Sequence, residues 1–261
     1  QAKPLTDLVV EVREVHGVRP RIIPCRVERL EKPAPDVAVI GLRLPMNENF
    51  RFLAGQYIDM LLKDGKRRSY SLATKPDPGG VTALEIHVRA TPGGLFTEHV
   101  FNKLKVRDLL RFEGPLGSFY LREDSEKPIV MVASGTGFAP IKSIIELALE
   151  KGLEKKRPMT LYWGCRVKQD LYMLDQAQSW TRPGFKFIPV LSDEQWSGRT
   201  GFVHRAVMED FPDMTGVQVY ACGAPVMVES ARKDFSLNCR LPVEEFFADS
   251  FLTEADKAVT A

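Results

Sequence analysis

The hydrophobic pattern of this 261-residue chain changes period once, near residue 123, and the change demands two differently built halves. Before it, runs of β-branched or alternating apolar residues (22–30, 37–44, 56–62 and 84–88) are separated by turn clusters. These are Lys32-Pro33-Ala34-Pro35, Lys63-Asp64-Gly65-Lys66 and Lys75-Pro76-Asp77-Pro78-Gly79-Gly80. Closely spaced strands with such turns predict a small β-barrel, interrupted by one helix over 96–104. After it, apolar strands at 129–133, 160–162, 187–191 and 217–221 alternate with helical stretches at 139–149, 174–180, 203–208 and 226–237. That alternation predicts an α/β domain on a parallel sheet. The polar run Arg122-Glu123-Asp124-Ser125-Glu126-Lys127 is the expected boundary.

Composition excludes several alternatives. With 44% hydrophobic and 27% charged residues the chain is neither disordered nor fibrous, and a net charge of +2 with scattered Lys and Arg makes no case for nucleic acid. Cys25, Cys165, Cys222 and Cys239 form no Cys-x-x-Cys pair, and His16, His87, His99 and His204 do not cluster with them, so no metal site is expected within the chain. Such cysteine usage, without an apolar leader or an apolar run near 18 residues, points to a reduced, cytoplasmic protein outside the membrane.

Three strand ends carry polar or glycine turns. Val132-Ala133-Ser134-Gly135-Thr136-Gly137-Phe138-Ala139-Pro140 passes from an apolar strand through a glycine turn into a helix, as an anion-binding turn does. Pro140 stands where the third glycine of Gly-x-Gly-x-x-Gly would be, so this is no ordinary dinucleotide fingerprint, and a plain strand-to-helix turn is the alternative. Tyr220-Ala221-Cys222-Gly223-Ala224-Pro225-Val226-Met227 and Trp163-Gly164-Cys165-Arg166-Val167-Lys168-Gln169-Asp170 follow later strands. Ligands of open α/β sheets bind outside the carboxyl ends of the strands, so together the three favour a dinucleotide.

In the barrel half, Arg67-Arg68-Ser69-Tyr70-Ser71 offers a cation, a ring and a hydroxyl, expected on one side of a strand. Arginine pairs with pyrophosphate, a tyrosine ring covers an isoalloxazine face, and a serine hydroxyl reaches its N5; an exposed strand face is the alternative. Pro92-Gly93-Gly94-Leu95-Phe96-Thr97 opens the expected helix as a second anion site, with Thr97 as its cap. Gly114-Pro115-Leu116-Gly117 reads as a tight turn.

Taken in order, Arg68-Ser69-Tyr70-Ser71, Gly93-Gly94-Leu95-Phe96-Thr97, Gly114-Pro115-Leu116-Gly117, Gly135-Thr136-Gly137-Phe138-Ala139-Pro140, Cys222-Gly223-Ala224-Pro225-Val226-Met227 and Phe247-Ala248-Asp249-Ser250-Phe251 resemble the ferredoxin-NADP reductase superfamily. The resemblance lies with its oxygenase-reductase and flavin-reductase branch. Gly198-Arg199-Thr200-Gly201-Phe202-Val203-His204 and Phe246-Phe247-Ala248-Asp249 are similar to its CDP-6-deoxy-glucoseen reductases. The resemblance implies a six-stranded antiparallel Greek-key FAD-binding barrel (21–122), an NAD(P)H-binding α/β domain (123–261), and residues 1–20 as a linker. It puts Arg68 on the FAD pyrophosphate, Tyr70 on the ring and Ser71 near N5, with Ser69 also cofactor-binding. His87, Val88 and Arg89 would line the cofactor largely through backbone, and Gly93, Gly94 and Thr97 would complete the phosphate site, with Leu95 and Phe96 of the same loop also cofactor-binding. Gly135, Thr136 and Gly137 would hold the nicotinamide dinucleotide and Cys222 and Gly223 would flank the nicotinamide, with Pro140, Pro225 and Met227 also cofactor-binding. Asp249 and Phe251 fall near the flavin, although many relatives carry Glu where this chain has Asp249. Gly164, Arg166 and Asp170 resemble NADH users, so NADH is favoured over NADPH.

The implied activity is that of a flavoprotein reductase, with Ser71, Cys222 and Asp249 tuning hydride transfer from NADH to FAD and single electrons passing onward. Relatives in this branch often begin with a plant-type 2Fe-2S domain that ends just before a stretch like Gln1-Ala2-Lys3-Pro4-Leu5. The resemblance therefore implies a chain lacking that domain, whose electrons go to an iron-sulfur domain or ferredoxin and then to an oxygenase or dehydratase. A stand-alone NAD(P)H:flavin reductase and a non-catalytic electron-transfer scaffold are the alternatives.

Overall fold

A computed structural model describes residues 18–62 and 64–251, so the expected linker falls almost wholly outside the described residues, as does the tail beyond 251. Six strands build the first half: β1 (Arg21–Ala34), β2 (Val37–Arg43), β3 (Tyr57–Leu61), β4 (Arg67–Ser71), β5 (Ala83–Arg89) and β6 (Leu109–Leu116). Their spatial order is β4-β3-β6-β1-β2-β5, antiparallel throughout. A bridge from Leu72 to Ile86 ties the two edges and closes the barrel. The alternation in β1 buries Ile23, Cys25 and Val27 and turns Ile22, Pro24 and Arg26 outward. Helix α1 (Leu95–Asn102) plugs the barrel with Phe96 and Val100.

Two expected turns lie inside strands. Strand β1 runs through Lys32 and Pro33, because a register shift between Glu31 and Ala34 relieves the pairing that proline cannot provide. Strand β6 includes Gly114 and Pro115; Gly114 allows close strand approach, since a Cβ there would lie 2.7 Å from Ile58, and the chain turns only at Gly117.

The second half holds β7 (Ile129–Ser134), α2 (Phe138–Glu150), β8 (Met159–Cys165), α3 (Leu174–Ser179), β9 (Phe185–Leu191), β10 (Arg199–Thr200), α4 (Val203–Asp210), β11 (Gln218–Gly223), α5 (Pro225–Cys239) and β12 (Phe246–Ser250). Its sheet is parallel in the order β10-β9-β8-β7-β11-β12. Strand β7 is buried on both faces, which explains its unbroken apolar run. Strand order reverses between β7 and β11, and the crevice beyond their carboxyl ends is where such a sheet binds ligands. Among the described residues no helix is long and apolar enough to cross a membrane.

The halves share one core. Ala54, Phe119 and Leu121 from the barrel side cluster with Phe138, Ile141 and Ile144 of α2. Phe138 stacks on Trp163 at 3.9 Å between centroids and 8° between planes. Phe138→Ala is expected to destabilise the protein by about 3–5 kcal/mol, read as a lower urea midpoint; an unchanged midpoint would refute this placement of the core.

Candidate functional site

A cleft of about 1500 Å³ opens between the barrel and the carboxyl ends of the parallel strands. On one wall Ser134 ends β7, Gly135 turns the chain with φ of +51°, and α2 begins. The Gly135 carbonyl accepts the Trp163 Nε1–H at 3.0 Å, which pins the turn to β8. Gly137 is required by packing, because a Cβ there would sit 2.1 Å from the Cys222 carbonyl oxygen. Ser134 Oγ accepts the Ala224 N–H at 3.0 Å, joining the ends of β7 and β11.

On the barrel wall all of β4 reaches the cleft, because β4 is an edge strand. Its alternation corrects the expectation of a single shared face. Arg68 and Tyr70 pair with Met60 and Ile58, whereas Ser69 and Ser71 project to the opposite face beside Asp59 and Tyr57. The Tyr70 ring packs against Phe96 at 5.2 Å. Gly93 has φ of +72° and open space where a Cβ would stand. Thr97 is no N-cap: Gly94 occupies that position, and the single Thr97 O–H is shared between the Thr91 and Gly94 carbonyls, 3.0 and 2.9 Å away, folding the loop onto the helix. Arg89, held by Asp36 at 2.7 Å, reaches across to the glycine turn, where a Gly135 Cβ would lie 2.7 Å from its Nη1.

Among the sequence-predicted residues, Arg68, Ser69, Tyr70, Ser71, His87, Arg89, Gly93, Gly94, Phe96, Thr97, Gly135, Thr136, Arg166, Pro225, Met227, Asp249 and Phe251 line this one cleft. Others do not. Val88 belongs to the barrel core and Leu95 points to solvent. Gly137 and Gly223 are packing glycines, the latter pressed on Ser134, and Pro140 is buried in α2. Cys222 is wholly buried behind the cleft wall, with burial pushing its thiol well up, and its carbonyl packs against Gly137. Asp170 also lies off the wall, its carbonyl accepting from the Cys165 thiol at 3.4 Å. The carboxylate that does line this end is Asp193, beyond β9, whose N–H donates to the Arg166 carbonyl at 2.9 Å. Sequence reasoning missed Asp193, Ser134 and Trp163; the strand-end logic applied to β8 would have found Asp193 had it been extended to β9.

The cleft suits a dianionic, aromatic ligand pair. It is lined by Arg67, Arg68, Arg89, Arg166, Arg205 and Lys233, against three carboxylates. One of these, Asp249, stands beside Cys222 in the sheet register, and burial raises its carboxyl to about 6 against a backbone hydrogen bond from Ser250.

Comparison with known proteins agrees with this geometry. Residues 24–120 match the oxidoreductase FAD-binding domain and residues 131–233 the oxidoreductase NAD-binding domain. The chain is 42% identical over 258 residues to the CDP-6-deoxy-L-threo-D-glycero-4-hexulose-3-dehydrase reductase of Yersinia pseudotuberculosis, covering 96% of this chain and 76% of that protein. The chain belongs to the ferredoxin reductase-like flavoproteins. It is an oxidoreductase with FAD- and NAD-binding domains. Reductase component 2 of a Comamonas terephthalate 1,2-dioxygenase is 38% identical, over 84% of this chain and 65% of that protein. The crystal structure of an Amycolatopsis cytochrome P450 reductase superposes with a TM-score of 0.82 at 36% identity, covering 89% of this chain and 70% of that one.

The native protein holds the Asp249 proton more tightly than the unfolded chain does. Its contribution to stability is therefore complete below pH 3.8 and is lost as pH rises through about 6. Asp249→Asn, which does not titrate, is expected to flatten the fall in stability across that window in urea titrations at stepped pH. An unchanged slope would place the carboxyl in water.

Proposed function

We propose that this chain takes hydride from NADH onto bound FAD and passes electrons singly to an iron-sulfur centre, which in turn serves an oxygenase or dehydratase. The observation that carries the reading is the single cleft in which β4 and the Gly93 loop face the ends of β7, β8, β9 and β11. When bound, FAD supplies a two-electron acceptor for hydride that can release its electrons one at a time. The onward partners are proposed from relatives described as reductases of a dehydrase and of dioxygenases.

In this proposal the FAD-binding half spans 21–122 and the dinucleotide-binding half 123–261. Arg68, with the backbone of Gly93 and Gly94, holds the FAD pyrophosphate, and the Thr97 hydroxyl keeps that loop closed. Tyr70, backed by Phe96, covers one face of the ring, and Ser71 directs its hydroxyl toward the reacting edge. The backbone at Gly135 and Thr136 receives the dinucleotide phosphates, Pro225 and Met227 border the nicotinamide, and Phe251 closes the flavin end. Asp249, protonated below about pH 6, is a hydrogen-bond partner at that end. With both ligands bound, these groups would align donor and acceptor for the transfer. Asp193 repels a 2′-phosphate and accepts from a free 2′-hydroxyl, which favours NADH. A cytoplasmic location goes with this reading, since the cysteines are all free thiols.

Anaerobic addition of NADH to the FAD-replete protein is expected to bleach the flavin absorbance, with Ser71→Ala slowing bleaching by about tenfold or more. No bleaching would favour a non-catalytic scaffold, and flavin lost on gel filtration a stand-alone flavin reductase. Asp193→Ser is expected to raise kcat/KM for NADPH relative to NADH by about tenfold, as removing an unfavourable charge contact should. An unchanged ratio would move cofactor choice elsewhere.

A further inference from the structure

Lys142 on α2 is only 7% exposed, and neither phosphate site uses it. Its Nζ donates to the Ala73 carbonyl at 3.1 Å and lies 3.3 Å from Glu85 and 3.1 Å from Glu146. The next residue, Ser143, donates its hydroxyl to the Thr74 carbonyl at 2.6 Å. A third contact joins Tyr172, ahead of α3, to His87 Nδ1 at 2.8 Å.

The direction of that third contact follows from its neighbours. Burial alone would raise Glu85, but the hydrogen bond from His87 and the charges of Lys142 and Arg29 outweigh it and hold the carboxyl near 2. An ionised carboxylate only accepts, so His87 Nε2 carries the proton it donates to Glu85 at 3.0 Å. Burial keeps the imidazole neutral, which leaves Nδ1 as an acceptor and the Tyr172 hydroxyl as donor. All three donors thus come from the α/β half; Ala73 and Thr74 lie on the segment that leaves β4, while Glu85 and His87 are on β5, which is joined to that segment by the Leu72–Ile86 bridge and by the Ala73 N–H donating to the Glu85 carbonyl at 2.9 Å. Ala73 and Thr74 follow Ser71 after one intervening residue, Leu72, and helix α2 grows out of the Gly135–Gly137 turn.

We propose that Lys142 and Tyr172 are positioning residues, a buried two-point clamp that fixes the dinucleotide-binding turn against the flavin-binding strand and so sets the hydride-transfer geometry. The clamp rests on the preceding reading for the identity of the two ligands. Neither residue touches the reacting atoms; each acts through the segment it holds. Tyr172→Phe removes one hydroxyl while keeping the ring packed on Trp163 and Phe138. Lys142→Met removes the charge at similar length.

The test has two arms on the full chain. In anaerobic stopped flow with FAD-replete protein, Lys142→Met and Tyr172→Phe are expected to lower the limiting rate of flavin bleaching by about 10- to 100-fold. FAD content and the NADH concentration for half-maximal rate should stay within about threefold, and Lys142→Arg should recover most of the rate. In hydrogen exchange on flavin-free protein, amides of residues 71–75 and 135–139 should exchange faster together in Lys142→Met, by about fivefold or more, with the rest of both sheets unchanged. Limiting rates within twofold of the parent, or exchange in the two segments that stays at parental rates, would overturn the clamp. A parent protein that is never bleached by NADH would sink the functional reading alone, because the exchange arm still decides whether the clamp exists.

Discussion

Helix α2 is buried on nearly every side, and the two halves meet through it. Phe138, Ile141 and Ile144 lie in a core that continues into Ala54, Phe119 and Leu121 of the barrel side, so separating the halves would expose apolar surface on both. The same helix begins at the glycine turn of β7, the strand next to the reversal of strand order. Packing and ligand geometry are therefore coupled in one element: whatever tilts α2 moves the dinucleotide turn relative to β4.

The glycines divide by what stands where a Cβ would be. Gly137 and Gly223 are closed by backbone, the carbonyl of Cys222 and the peptide of Ser134, so they let strands β7 and β11 end against one another. Gly93 opens to free space on the cleft wall and suits close approach of a ligand backbone or phosphate. A glycine-rich motif mixes both kinds, and only the packing distinguishes them. Cys222 follows the same logic: its carbonyl shapes the turn while its side chain is buried in the shared core.

Much of the architecture was legible because periodicity reports burial directly. The apolar run of β7 and the alternation in β1 each name a sheet type, and the polar strand ends name an edge. Strand β12 was not read as a strand, since Phe246-Phe247-Ala248-Asp249-Ser250 pairs only with β11 and carries a carboxylate. Strand β6 was hidden by Gly114 and Pro115, ordinary turn residues that here serve interstrand closeness. The resemblance points to Asp170, whereas the loops after β8 and β9 meet through the Asp193 N–H and the Arg166 carbonyl and bring Asp193, distant in sequence, to the cleft. Likewise, His87 was assigned to the cofactor wall through its backbone, and nothing in the local sequence announces that its ring bonds a tyrosine 85 residues away.

An apolar contact alone would hold the halves together without fixing their angle, because dispersion and burial vary smoothly as two surfaces slide. Directional donors do fix it. The Arg89–Asp36 pair reaches the glycine turn from the barrel, but both side chains are more than a third exposed, and exposed pairs contribute about 0–1 kcal/mol. Lys142, Ser143 and Tyr172 are buried, so a rotation that broke their bonds would take these donors from the Ala73 and Thr74 carbonyls and from His87 Nδ1, and would leave Lys142 with Glu146 alone. Burying that lysine is costly in itself and adds little net stability over a well-packed apolar residue. What it adds is a single permitted orientation, which is the property that hydride transfer across two domains requires.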